Sequence, residues 1–190
     1  MESLIHENKV FEKVTYAGKD IKNREFEKCT FKLCDFSGSS FSHSRFTDCQ
    51  FIGCNLAMMK LNSSTLSDVF FKECKMIGVN FSECEDFLFT VRFENSILDY
   101  ASFMRKKMPK TQFINTSLKN VTFANTNLAG ALFDNTNLEG AVFERTELKE
   151  ANFATAYNYI LDPEHNNIRK AKFSQYGIAG LLTKHDIRIE

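Results

Sequence analysis

Large apolar residues recur at every fifth position. Stepping by five from Phe11 meets Tyr16, Ile21, Phe26, Phe31, Phe36, Phe41, Phe46, Phe51, Leu56, Leu61, Leu66, Phe71, Met76 and Phe81. A second series runs from Leu88 through Phe93, Leu98, Phe103, Met108, Phe113, Leu118, Phe123, Leu128, Phe133, Leu138, Phe143 and Leu148 to Phe153. All 29 positions are large and apolar in a chain that is 43% hydrophobic, so the period belongs to the fold. Neither regular structure can use it directly. Five residues rotate an α-helix by about 140° and reverse the face of a strand. The chain must therefore turn once per repeat. Two residues before most centres stands a small or modest side chain, such as Ser39, Ser44, Ser64, Ala101, Thr116, Thr126, Ala131, Thr136, Ala141 and Ala151. Residues two apart on an extended segment share a face. Centre and predecessor thus point inward, the other three positions make a corner and the outer surface, and four sides close a coil of about 20 residues.

Ala131-Leu132-Phe133-Asp134-Asn135, Thr126-Asn127-Leu128-Ala129-Gly130, Thr136-Asn137-Leu138-Glu139-Gly140 and Ala151-Asn152-Phe153-Ala154-Thr155 resemble the pentapeptide-repeat family. Its motif is a small residue, Asp or Asn, Leu or Phe, then two variable residues. The resemblance covers about residues 9–155 and implies an all-β fold, a right-handed quadrilateral β-helix. The handedness comes from the family and not from the spacing. Residues 20 apart should then stack at the strand spacing of ~4.8 Å, with Phe31 over Phe51 over Phe71 and Phe113 over Phe133 over Phe153.

Three places depart from the repeat. Residues 1–8 read as an N-terminal lead before the β-helix of 9–155. The register slips by two across 82–92, where Phe87 and Phe89 compete with Leu88 for the interior. After Phe153, residues 157–167 read as a loop, because Asn158 and Pro163 occupy centre positions. Ile168 and Phe173 resume the register within a segment, 156–190, that ends the solenoid. There Ile178, Leu181 and Leu182 have helical spacing, and Ile187 and Ile189 alternate as a short strand. This helix-plus-strand segment must cover the last coil or bury it against a second copy. The resemblance favours the second, a homodimer joined through Ile178, Leu181, Leu182, Ile187 and Ile189.

Composition adds little chemistry. Twenty-four basic residues balance 24 acidic ones, so no global charge steers nucleic acid or a membrane. The start lacks a signal peptide's pattern, and the chain reads as cytoplasmic. Six cysteines, Cys29, Cys34, Cys49, Cys54, Cys74 and Cys84, occupy or adjoin inward small positions, which fits reduced fillers; no metal pattern accompanies them. His6, His43, His165 and His185 fall in the lead, a corner, the loop and the tail, and no catalytic or cofactor motif appears. Arg105-Lys106-Lys107 with Lys110 reads as a solvated outer face or an anion patch. Asp134, Glu139, Glu144, Glu147 and Glu150 give the last coils a local acidic excess.

The expectation is a non-catalytic rod that needs no cofactor and binds another protein. The candidate contacts are Phe87, Phe89 and the acidic residues Asp134, Glu139, Glu144, Glu147 and Glu150. The resemblance extends to quinolone-resistance members of the family, which implies a rod imitating duplex DNA in a type II topoisomerase such as gyrase. A structural scaffold or adaptor for another protein is the alternative. DNA itself carries one charge per ~1.7 Å, which a neutral chain does not reproduce.

Overall fold

The computed structural model describes residues 4–188. They wind into a parallel β-solenoid of about eight turns with a short C-terminal helix. Each square coil has four sides, identified below by the central residue of one coil: the Phe113, Leu118, Phe123 and Leu128 sides. The Phe113 side is a nine-stranded parallel sheet of Val10–Glu12, Thr30–Lys32, Gln50–Ile52, Val69–Lys72, Val91–Glu94, Gln112–Ile114, Leu132–Asp134, Asn152–Phe153 and Lys172–Phe173. The Leu128 side begins as a four-stranded parallel sheet of Ile5–Glu7, Glu25–Glu27, Arg45–Thr47 and Thr65–Ser67. The other two sides are joined by single bridges, such as Asp35 with Asn55 and Ser102 with Thr122.

The five-residue period arises at the corners. Ser39 N–H donates to the Phe36 carbonyl at 3.1 Å, and Ala131 N–H to that of Leu128 at 3.0 Å. The residue before each donor is left-handed, with φ of 62° at Gly38 and 67° at Gly130, as a type II turn requires. Asn95, Asn115, Asn120, Asn125 and Asn135 take the same corner position with φ between 47° and 57°. Their short amides tolerate this region better than other non-glycine side chains.

The core consists of ladders. Nine Phe rings from Phe11 to Phe173 stack in one column, with neighbouring centroids between 4.5 and 5.3 Å apart. A second column, Phe81, Phe103, Phe123 and Phe143, meets the first edge to face. Such pairs add about 0.5–1.5 kcal/mol beyond burial. The small inward residues do more than fill space. Thr126, Thr136 and Thr146 donate their hydroxyls to the carbonyls of Phe103, Phe113 and Phe123, each 23 residues earlier. Cys29, Cys34, Cys49, Cys54 and Cys74 place their thiols on the carbonyls of His6, Phe11, Phe26, Phe31 and Phe51 at 3.3–3.4 Å. All six cysteines are buried and free.

The structure corrects the ends of the repeat. The lead is already solenoid: Ile5–Glu7 pairs with Glu25–Glu27, and His6 occupies a centre, buried and stacked on Phe26 at 5.0 Å. The expected loop at 157–167 keeps the coil length, since Tyr157 bridges Asn137 and Asn167 bridges Glu147. Tyr159, Leu161 and Asn166 fill the interior there in place of Asn158 and Pro163. Past Phe173 a helix of four residues, Ala179–Leu182, lies on Tyr159. The expected strand at Ile187 and Ile189 is not found: Ile187 lies outside any strand and Ile189 lies outside the described residues.

Candidate functional site

The register slip builds the most irregular surface of the rod. Partners on the Phe113 side are 20 residues apart at Phe51 and Phe71, 22 apart at Phe71 and Phe93, and 20 apart again at Phe93 and Phe113. The two extra residues leave the Phe113 side in register and are absorbed on the Leu128 side. Its sheet stops at Thr65–Ser67, and bridging resumes only at Lys107 with Asn127. Between them a 3-10 turn at Phe81–Glu83, capped by the Asn80 side chain, leads into a bulge over residues 85–90.

The three apolar residues of the bulge separate. Phe89 turns inward, 6% exposed, edge to face with Phe81. Phe87 is 75% exposed and Leu88 57% exposed, with Leu88 in the left-handed region at φ 57°. Leu88 is therefore not the first centre of the second series. Phe89 takes that interior place, so it is withdrawn as a contact residue; only Phe87 of the pair faces outward. The reason is spacing: two added residues displace the centre by one, and Thr90 must still reach the corner before Val91.

Lys106 makes this arrangement possible. It stands two residues before Met108, where other coils carry Thr126 or Thr146, and it is buried. Its ammonium donates to the Cys84 carbonyl and, at 2.8 Å, to Oδ1 of Asp86, and lies 5.1 Å from the Phe89 ring centroid. The bulge carries its acceptors away from the usual carbonyl, so a long side chain replaces a hydroxyl. Asp86 is the exposed partner, which keeps the pair at the edge of water. Burial pushes the neighbouring Cys84 thiol up to about 12. Thus Arg105-Lys106-Lys107 is not one solvated face: Arg105, Lys107 and Lys110 are outside and Lys106 is inside. The signal was legible, since Lys106 falls on the inward register.

The five acidic residues of the last coils do not form one patch. Successive pentapeptides occupy successive sides, so Asp134 lies on the Phe113 side, Glu139 on the Leu118 side, Glu144 on the Phe123 side, and Glu147 and Glu150 on the Leu128 side. Glu139 pairs with Lys119 at 2.9 Å, Asp134 accepts from Thr155 Oγ1 at 2.7 Å, and both Glu147 oxygens accept from Asn167. The positions proposed for a dimer contact are divided too. Ile178 and Ile187 are exposed, while Leu181 and Leu182 are half-buried and Leu181 packs on the core. Lys184 ties this tail to Asp162 and Glu164 at 2.8 and 2.7 Å and holds the Asp162 carboxyl below its usual range. Of the histidines, His6 is in the core and His43, His165 and His185 lie apart on the surface. Among the described residues no three metal-ligating side chains converge, and no helix is long and apolar enough to cross a membrane.

Residues 24–103 match the profile of a pentapeptide repeat region, and residues 116–154 match one of eight pentapeptide repeats. The interval between them contains Lys106. Among solved structures, a trypsin-treated form of QnrB1, a plasmid-mediated fluoroquinolone resistance protein, superposes with a TM-score of 0.63 at 17% identity, covering 98% of this chain and 100% of that one. Full-length QnrB1 gives 0.47 at 20% identity, covering 96% and 100%. HetL from the cyanobacterium Nostoc gives 0.37 at 13%, covering 87% of each chain. At such identities the likeness shows the fold alone. No curated protein matches the chain.

Proposed function

Because the chain belongs to the pentapeptide-repeat family, its two matched stretches together covering more than half of the sequence, we propose that it is a non-catalytic rod that binds another protein through the bulge. The observation that carries this reading is the pairing of two exposed apolar side chains, Phe87 and Leu88, with the ion pair of buried Lys106 and exposed Asp86 beside them. An exposed Phe beside Glu83, Glu85 and Asp86 is a surface suited to docking. Lys106 keeps it in one conformation, which lowers the ordering cost of association.

The partner to test first is a type II topoisomerase, since the rod spans the whole length of a fluoroquinolone resistance protein of the same fold. Contact by DNA mimicry is disfavoured. Eight rungs at ~4.8 Å would imitate on the order of 20 phosphates, whereas the chain is neutral and its acidic residues are divided among four sides. The expected contact is local and apolar. Gyrase supercoiling is measured at a fixed inhibitory dose of fluoroquinolone while the protein is titrated. Rescue by the unaltered chain, lost in Phe87→Ser with Leu88→Ser at an unchanged melting temperature, is the expected outcome. Rescue that survives this double change but is lost in Glu139→Lys with Glu144→Lys would move the contact to the acidic coils. Neither rescue nor inhibition would leave the adaptor reading, to be pursued by copurification. We also propose a homodimer joined end to end, with Ile178, Ile187 and Tyr176 at the junction because all three are exposed at the terminal coil. Ile178→Asp should halve the mass seen by sedimentation.

A further inference from the structure

The corner between the Leu128 and Phe113 sides holds a groove of about 490 Å³ that crosses four rungs. Its floor is the backbone of Cys49, Val69, Val91 and Thr111, whose side chains are buried in the core. Along its outer lip run the corner residues Asp48, Asp68, Thr90 and Lys110, each one rung from the next. Opposite them stand Phe70 and Arg92, the guanidinium 4.3 Å over the ring. One end is therefore acidic and the other basic, with the Phe70 ring as the apolar surface between them.

Size and free charge separate this groove from the corners at Asn115 and His165. The corner at Asn95, Asn115 and Asn135 encloses only about 260 Å³ and is uncharged, and Asn135 spends its amide on Asn115 at 2.9 Å. At the corner of His165 the two carboxylates are already engaged, Glu164 by Lys184 and Glu147 by Asn167. Among the described residues, Asp48, Asp68 and Lys110 enter no ion pair. The strands on the floor pair on both flanks, Gln50 with Phe70 and Phe70 with Arg92. The groove accordingly offers side chains and no free strand edge.

We infer that this groove binds an extended segment of a partner protein that carries a basic side chain and, four residues on, an acidic one, with an apolar side chain between them. Three rungs separate Asp48 from Lys110, ~14 Å, which is the length of four residues of extended chain, and residues four apart point to one side. The basic group meets Asp48 and Asp68, the acidic group meets Lys110 and Arg92, and the apolar residue between them lies on the Phe70 ring. This rests on the partner-binding reading and names the chemistry of one contact.

The test is titration of the 15N-labelled protein with three peptides: Ac-Lys-Thr-Val-Thr-Glu-NH2, and its counterparts with Lys at both ends or Glu at both ends. The mixed peptide should shift the amides of Val69, Val91 and Arg92 saturably, and bind about five-fold tighter than either like-charged peptide, the scale of exposed ion pairs. In Asp48→Lys with Asp68→Lys the preference should pass to the all-Glu peptide. That change respects the fold, since Lys28, Lys110 and Lys170 already occupy this corner position with φ of 49°, 59° and 60°. Equal binding of all three peptides, shifts confined to other surfaces, or no saturable shift would overturn the inference. Groove binding without drug rescue of gyrase would sink only the topoisomerase reading, and rescue without groove binding only this one.

Discussion

Where the inward position before a centre carries Thr, Ser or Cys, the side chain has two tasks: to be small and to donate to the carbonyl of a centre in the coil beneath. Thr136 does both, donating to Phe113 at 3.0 Å. Thr136→Val keeps the shape and removes one of the hydrogen bonds to a buried carbonyl, at a cost of about 1 kcal/mol. Thermal denaturation should show a fall of several degrees, and Thr136→Ser should recover most of it. Lys106 is the extreme case of the same role. Lys106→Met should leave the fold intact but free the bulge, and limited proteolysis should then cut within residues 85–90. Burial of the thiols has its own pH signature. Cys49 and Cys84 are pushed up to about 12, chiefly by burial. The unfolded chain ionises first as the pH rises, so this contribution to stability is present below about 9 and is lost between about 9 and 12. Melting temperatures should fall across that window, and the native thiols should resist disulfide reagents at pH 8.

Among the elements, the short helix Ala179–Leu182 shows how closely the end of the rod is sealed. A Cβ at Gly180 would lie 2.1 Å from the Tyr159 carbonyl oxygen, and Leu161 N–H donates to the Gly180 carbonyl at 3.0 Å. Gly180→Val should undock the helix, exposing Tyr159 to faster hydrogen exchange at the last coil while the middle coils keep their protection. The Lys184 pair acts on the same element. The Asp162 carboxyl is held low by the Lys184 hydrogen bond. Its support is present above the ordinary carboxylate range and is lost as the pH falls through the lowered value. Acid should therefore loosen the tail, an effect that Asp162→Asn would reduce to the share of the remaining Lys184–Glu164 pair. Neither the glycine contact nor the ion pair could be read in advance, because both depend on where Tyr159 lies when Asn158 gives up its centre.

For the whole molecule, stability is a sum over neighbouring coils, since each contacts only the next. Phe113→Ala cuts the nine-ring column near its middle and should cost about 3–5 kcal/mol, whereas Phe87→Ala on the surface should change stability by less than about 0.5 kcal/mol. Denaturant unfolding of the two variants measures the difference directly. A variant at Phe113 that melts like the unaltered chain would contradict the ladder.

The period of five, with its inward small residues, determined the square coil, the ladders and the burial of the cysteines. It could do so because one interaction, stacking of like side chains at a fixed rise, is repeated in every coil and outweighs local preferences. The tertiary structure alone decided what happens where the repetition fails. Whether Phe87, Leu88 or Phe89 enters the core depends on the path of a two-residue bulge and on the reach of Lys106 from the coil beyond it. His6 and Tyr159 join the core because the neighbouring coil offers each an aromatic ring. The acidic residues of the last coils are close in sequence and divided in space, because the chain turns a corner between one and the next.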